Sequence, residues 1–235
     1  MTRWHESQLA GFDTETTSAD PFEARIVTAA VLARGPDPAW DDFRWMADPG
    51  IEIPAEATAV HGVTTAQARE HGRPAAQVAA EVLEVLHQHL LVMPLVIYNA
   101  AYDLTVLEAE ARRYGLPPLD LSRAVIIDPH VLDKQLDRYR KGSRRLDATC
   151  AHYRVQLADA HDPMQDALAA MRIAWRLGQA YPWLSATSGR KLMDWQAKAR
   201  RAQCASLAAY FAKTGQPQEV NGDWPVQRQP EGARP

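Results

Sequence analysis

Two carboxylates two residues apart, Asp13 and Glu15, sit in the run Phe12-Asp13-Thr14-Glu15-Thr16-Thr17, at the end of a short apolar stretch that reads as a strand. Alternate side chains of a strand share a face, so both acids project the same way. Charges that close repel each other unless a cation lies between them. Two later segments extend the pair: Asn99-Ala100-Ala101-Tyr102-Asp103, and His161-Asp162-Pro163-Met164-Gln165-Asp166. A mixed sheet can set the ends of its first and fourth strands side by side. A helix crossing that edge would then bring Asp13, Glu15, Asp103 and Asp166 around one small volume, a state that needs cations to stay ionised. Hard oxygen donors, with no cysteine and no paired histidines among them, favour Mg²⁺ or Mn²⁺ over zinc. Two such ions about 3.5–4 Å apart stabilise the attacking and leaving oxygens of phosphodiester hydrolysis. His161 is the candidate general base. Asp162 reads as a helix N-cap and Pro163 as a first helical residue, which leaves His161 on the loop just before the helix.

The elements that must position these residues follow from pattern. Residues 9–12, 25–34 and 42–47 read as three strands of an antiparallel meander, with the second broken by Pro36 and Pro38 and with Phe43 and Trp45 on one face of the third. Residues 74–91 carry Val78, Val82, Val85 and Leu86 at helical spacing. Residues 95–98 form a fourth strand, residues 101–114 a helix stopped by Gly115, and residues 124–127 a fifth strand ended by Asp128-Pro129. Helices are predicted over 131–138, 146–153, 163–180 and 191–213. The fold class is α/β, a mixed five-stranded sheet flanked by helices. Residues 1–183 form the main unit, and 184–235 a helical extension with a flexible or loosely docked tail from 215 onward.

The three acidic segments resemble the motifs of the DEDDh-type, or DnaQ-like, 3′–5′ exonucleases, a family that includes the proofreading epsilon subunit of bacterial DNA polymerase III. Asp13 and Glu15 fall on the first motif, Asp103 on the second, and His161 with Asp166 on the third, whose His-x4-Asp spacing is that of the histidine branch. The resemblance covers residues 9–176 and implies an RNase H-like sheet. It implies that Asp13, Glu15 and Asp166 hold one metal ion, with Asp13 bridging to a second that Asp103 reaches through water. Val60-His61-Gly62-Val63-Thr64 is similar to a family segment that packs against the terminal nucleotide, and Thr14, Thr16, Asn99 and Tyr102 match positions lining the same pocket. Ser18 and Pro163 depart from the family's usual Gly and Ala, and neither change removes a ligand.

Composition bounds the partners. The chain has 235 residues, is 46% hydrophobic and 23% charged, and carries a formal charge of −3, unlike proteins that coat duplex nucleic acid. Two distant cysteines, Cys150 and Cys204, and the lack of a signal-like or membrane-spanning run suggest a cytoplasmic protein. Alone, His61 reads as a buried structural histidine, and His87 and His89 as surface residues. Trp183, Trp195 and Trp224 are expected to anchor the C-terminal segment. Residues 138–145 carry five basic side chains and Tyr139, either a solvated loop or a phosphate grip. The expected activity is 3′–5′ removal of nucleoside monophosphates from the end of single-stranded DNA, in proofreading or repair, free-standing or with a DNA polymerase. RNA trimming, a non-catalytic polymerase accessory role and a non-nuclease metal phosphoesterase are the alternatives.

Overall fold

The computed structural model describes residues 3–35, 41–158 and 160–229; Pro36 and Pro38 lie outside the described residues. A short 3-10 turn at Trp4–Glu6 precedes strands β1 (Leu9–Thr16), β2 (Ile26–Arg34) and β3 (Asp42–Asp48). Helices α1 (Ala55–His61) and α2 (Thr65–His71) lead to β4 (Arg73–Pro74) and α3 (Ala75–Leu90). Then come β5 (Leu95–Val96), α4 (Ala100–Tyr114), β6 (Ile126–Ile127), α5 (Pro129–Leu136), α6 (Leu146–Tyr153), α7 (Pro163–Ala180), α8 (Pro182–Ser185) and α9 (Gly189–Lys213).

The sheet has six strands rather than the expected five, in the order β4-β3-β2-β1-β5-β6. The addition is β4, a two-residue strand parallel to the end of β3, too short to leave a period in the sequence. The meander β1-β2-β3 is antiparallel, whereas β1, β5 and β6 run parallel, so their C-terminal ends open on one edge. In open sheets of this kind, chemistry gathers at the carboxyl ends of the parallel strands.

Alternation along β1 decides what meets what. Ala10 and Phe12 belong to the core shared with α3 and α4, while Leu9 packs into the core built with α7. Gly11 faces α7 as well. A Cβ built there would fall 2.5 Å from Met171 Sδ and 3.2 Å from the Ala167 carbonyl oxygen. The missing side chain lets α7 lie directly on β1. Positions 13 and 15 continue this α7-facing row, so Asp13 and Glu15 point toward the start of the helix that bears Asp166.

The C-terminal segment is docked as far as it is described. Trp224 is buried, with its Nε1 3.1 Å from Asp128 Oδ2, and the Gln227 amide donates to Thr105 Oγ1 at 2.8 Å. Of the two readings of this tail, flexible or loosely docked, residues 221–229 take the docked one; residues 230–235 lie outside the described residues. Trp183 is half exposed, its ring edge-on to Trp195 at 5.7 Å. His89 is buried instead of at the surface, its Nδ1 2.8 Å from the Val85 carbonyl oxygen and its ring edge-on to Phe43.

Replacing Gly11 tests the close approach of α7. We expect Gly11→Val to lower the thermal midpoint by roughly 3–10 °C, the usual effect of overpacking a tight contact in a chain of this size. Gly11→Ala should lower it less, because the Met171 side chain can swing aside. Equal midpoints for Gly11→Val and wild type would show that α7 does not need the gap.

Candidate functional site

Four acidic side chains converge where β1 meets the N-termini of α4 and α7. The parallel pairing of β1 with β5 stops at Gly11 and Val96, which leaves the next backbone donor on that side of β1 free. Asp103, in the first turn of α4, fills the place: Thr14 donates to its Oδ1 from the backbone N at 3.1 Å and from Oγ1 at 2.7 Å. Thr14 thus fixes Asp103 in orientation. Asp166 enters from the first turn of α7, whose N-cap, Asp162, accepts from the backbone N of Met164 and Gln165 as expected. His161 adopts a left-handed backbone (φ 70°), unusual for a non-glycine residue, and its backbone N–H donates to Asp166 Oδ2 at 3.2 Å. Its Nδ1 lies 3.7 Å from Glu15 Oε1. Glu15, His161 and Asp166 present ligand atoms that all lie within 4.8 Å of one another.

The electrostatics follow from crowding in a poorly solvated corner. Burial holds the Asp13 carboxyl well above its ordinary range, and the charges of Asp103, Asp166, Glu15 and Asp162 push it further. Burial, then Asp166 and Asp103, raises Glu15 to about 8. Asp103 is pushed up to about 7 by burial, against the hydrogen bonds from Thr14. Asp166 is pushed up to about 6 by burial, against the His161 N–H. Each acid makes its neighbours harder to ionise, which is the signature of a place built for positive charge. The donors fit a hard divalent cation: they are carboxylate oxygens, and Oδ1 of Asp166 is buried with no hydrogen-bond partner.

Beside the acids lies a cavity of about 800 Å³, whose lining includes Thr14, Glu15, Thr16, Val60, His61 and Tyr102. The Tyr102 hydroxyl makes short hydrogen bonds with Thr16 Oγ1 and the Ser18 carbonyl, and burial pushes its pKa up to about 12. Val60 is half exposed at the mouth. His61 accepts from the Val63 N–H through Nδ1 at 3.2 Å, while its Nε2 is buried without a hydrogen-bond partner. Burial lowers its pKa, so the ring is held neutral. Asn99 lies at the N-cap of α4 in a left-handed conformation, with φ 64°, but its side chain makes no capping bond.

The cap comes from Asp128, a residue that sequence reasoning passed over. Its two carboxylate oxygens, fully buried, accept from the backbone N of Asn99 and Ala100 at 3.0 Å each, from His130 and Val131, and from Trp224 Nε1. One side chain therefore holds the start of α4, the start of α5 and the C-terminal segment. The local signal was Asp128-Pro129, a cap followed by a first-turn proline, but its reach to α4 is a tertiary fact.

The RNase T family model, described as an exonuclease, matches residues 10–174. The chain belongs to this exonuclease family. Among relatives, the DNA polymerase III subunit epsilon-like protein of Rhodobacter capsulatus is 34% identical over 134 residues, covering 52% of this chain and 18% of that protein. The PolC-type DNA polymerase III of Halalkalibacterium halodurans is 25% identical over 172 residues, covering 73% of this chain and 11% of the polymerase. The chain thus spans less than a fifth of either relative. Among solved structures, exonuclease I aligns with a TM-score of 0.65 at 19% identity, over 76% of this chain and 42% of the other. The Escherichia coli enzyme in complex with a dA16 oligonucleotide aligns with a TM-score of 0.64 at 19% identity, over the same 76% and 42%. These likenesses bear out the RNase H-like fold of an exonuclease. Among the described residues, no helix is long and apolar enough to cross a membrane.

A pH and metal titration follows from the crowded acids. Glu15, Asp103 and Asp166 titrate higher in the fold than their ordinary values near 4, at about 8, 7 and 6. The fold therefore prefers their protonated forms, and that contribution is complete below about pH 4 and lost as pH rises through 6 to 8. In EDTA the thermal midpoint should fall by roughly 5 °C or more between pH 5 and pH 8.5, and millimolar Mn²⁺ should restore it most at the higher pH. A midpoint flat across this range and indifferent to Mn²⁺ would contradict a carboxylate cage.

Proposed function

We propose that this exonuclease is a metal-dependent 3′–5′ enzyme that releases nucleoside 5′-monophosphates from the end of single-stranded DNA, in proofreading or repair. The observation that carries the reading is the convergence of Asp13, Glu15, Asp103 and Asp166 with His161 at one strand edge, in a chain of the exonuclease family. In this reading Asp13, Glu15, Asp103 and Asp166 hold two Mg²⁺ or Mn²⁺ ions. When bound, such ions supply positive charge that acidifies an attacking water and neutralises the leaving 3′-oxygen.

The chain's own residues do the rest. Glu15 faces Nδ1 of His161 and orients the ring, leaving Nε2 to take the proton from water as it attacks phosphorus. Thr14 keeps Asp103 aimed at the shared volume. The cavity beside the acids gives the terminal nucleotide its place: Val60 offers an apolar surface, Tyr102 and Thr16 offer hydroxyls, and the unpartnered Nε2 of His61 offers a hydrogen bond. Asn99, held by Asp128 at the head of α4, sets the turn that aims Tyr102 and Asp103. A cavity of about 800 Å³ suits a single frayed end, which supports the preference for single strands. The relatives named for DNA polymerase III support a link to replication, and exonuclease I bound to oligonucleotides supports DNA as substrate.

Asp13→Ala should remove Mn²⁺-dependent degradation of a 5′-labelled single-stranded oligonucleotide while leaving the circular dichroism spectrum intact. His161→Ala should slow turnover by roughly 10²–10⁴-fold, the usual contribution of a placed general base. Wild-type rates for either variant, or shortening of a 3′-labelled strand from its 5′ side, would refute the reading.

A further inference from the structure

A polyanionic strand must approach four carboxylates, and the cavity beside them adds Glu23 and Glu56 to its lining but no lysine or arginine. Divalent cations held by the four acids would attract the phosphate at the scissile bond, but phosphates upstream of it need cations elsewhere on the protein. Residues 138–145, between α5 and α6, hold five basic side chains in eight, and the structure divides them into two groups.

Arg140 and Arg144 turn inward. Their guanidiniums meet Oδ2 of the fully buried Asp133 at 2.7 and 2.6 Å, and Tyr153 donates to its Oδ1 at 2.9 Å. Burial alone would raise the pKa of Asp133, but these three donors outweigh it and keep the carboxyl low. Arg144 also donates to the carbonyls of Asp137 and Arg140 at 2.6 and 3.0 Å. The inward pair is thus the frame of the loop. Arg138, Lys141 and Arg145 remain exposed, Arg145 in only a loose 3.8 Å contact with Asp147. Tyr139 stands among them 88% exposed. A large aromatic ring held in water by a braced loop gains nothing from the fold itself.

The loop is tied to the catalytic edge. Tyr98, the residue before Asn99, donates to the Arg144 carbonyl at 2.7 Å, and its hydroxyl also lies 2.8 Å from Thr149 Oγ1. Helix α6, which follows the loop, packs on α7, the helix of Asp166. Cations and an exposed ring on a braced loop are the parts of a sequence-tolerant single-strand grip.

We propose that the 138–145 loop is a second nucleic-acid contact, in which Tyr139 stacks on a base upstream of the scissile bond and Arg138, Lys141 and Arg145 hold the phosphates. The proposal rests on the exonuclease reading and goes beyond it by extending the binding site past the terminal nucleotide.

Steady-state hydrolysis of a 12-nucleotide oligothymidylate tests it, with thymidine 5′-(p-nitrophenyl phosphate) as a substrate without upstream nucleotides. Tyr139→Ala should raise KM for the oligonucleotide by roughly 5- to 100-fold with kcat preserved. The triple variant Arg138→Ala, Lys141→Ala, Arg145→Ala should reduce the slope of log kcat/KM against log salt by about 2, near 0.7 per lost phosphate contact. Neither change should alter KM for the small ester. An oligonucleotide KM and salt slope equal to wild type in both variants would overturn the loop assignment alone. A wild-type enzyme that cleaves neither substrate would overturn the exonuclease reading beneath it.

Discussion

Mutual repulsion among buried and half-buried carboxylates is the constraint on which this site is organised. Asp13 feels the charge of Asp103, Asp166 and Glu15, and Asp13, Glu15, Asp103 and Asp166 all sit where water solvates them poorly. A fold does not assemble such a group for its own stability, because buried like charges cost free energy unless protons or cations neutralise them. The surrounding structure is accordingly over-determined. Thr14 clamps Asp103, the His161 backbone clamps Asp166, and the alternation of β1 keeps Asp13 and Glu15 on one face.

Support for that cluster reaches well beyond the residues that form it. Gly11 lets α7 lie flat on β1, bringing Asp166 within range of the strand acids. Asp128 ties the start of α4, the start of α5 and Trp224 into one knot, so the C-terminal segment braces the helix that carries Asp103. The same economy appears at residues 138–145, where a buried carboxylate, Asp133, consumes two arginines to hold a loop that displays three other cations. Buried carboxylates thus serve twice as anchors: Asp128 accepts five hydrogen bonds and Asp133 pairs with two arginines, whereas Oδ1 of Asp166 in the site is left without a partner.

The acidic residues were legible because strand period, a capped helix start and the His-x4-Asp spacing are local patterns. Asp162 caps α7 as its type and place foretold, α6 and α7 stand at the expected residues, and the meander is antiparallel as expected, although β1 runs on past residue 12 to Thr16 and so carries both acids within the strand. What stayed hidden was either too short or too distant. β4 spans two residues, and α1 and α2 seven each, below the length at which periodicity speaks. The Thr64/Gln67 capping box was a readable signal for α2. Asn99 stands at the N-cap of α4, but the capping bonds belong to Asp128, twenty-nine residues away. Polar composition suggested a loose tail; a single tryptophan meeting a buried carboxylate outweighs it.

Anomalous diffraction from a crystal soaked in MnCl₂ tests whether these scattered acids cage divalent cations. Two peaks are expected, each within about 2–2.5 Å of carboxylate oxygens drawn from Asp13, Glu15, Asp103 and Asp166. A map without peaks there at saturating Mn²⁺, or side chains that turn away from one another, would contradict it.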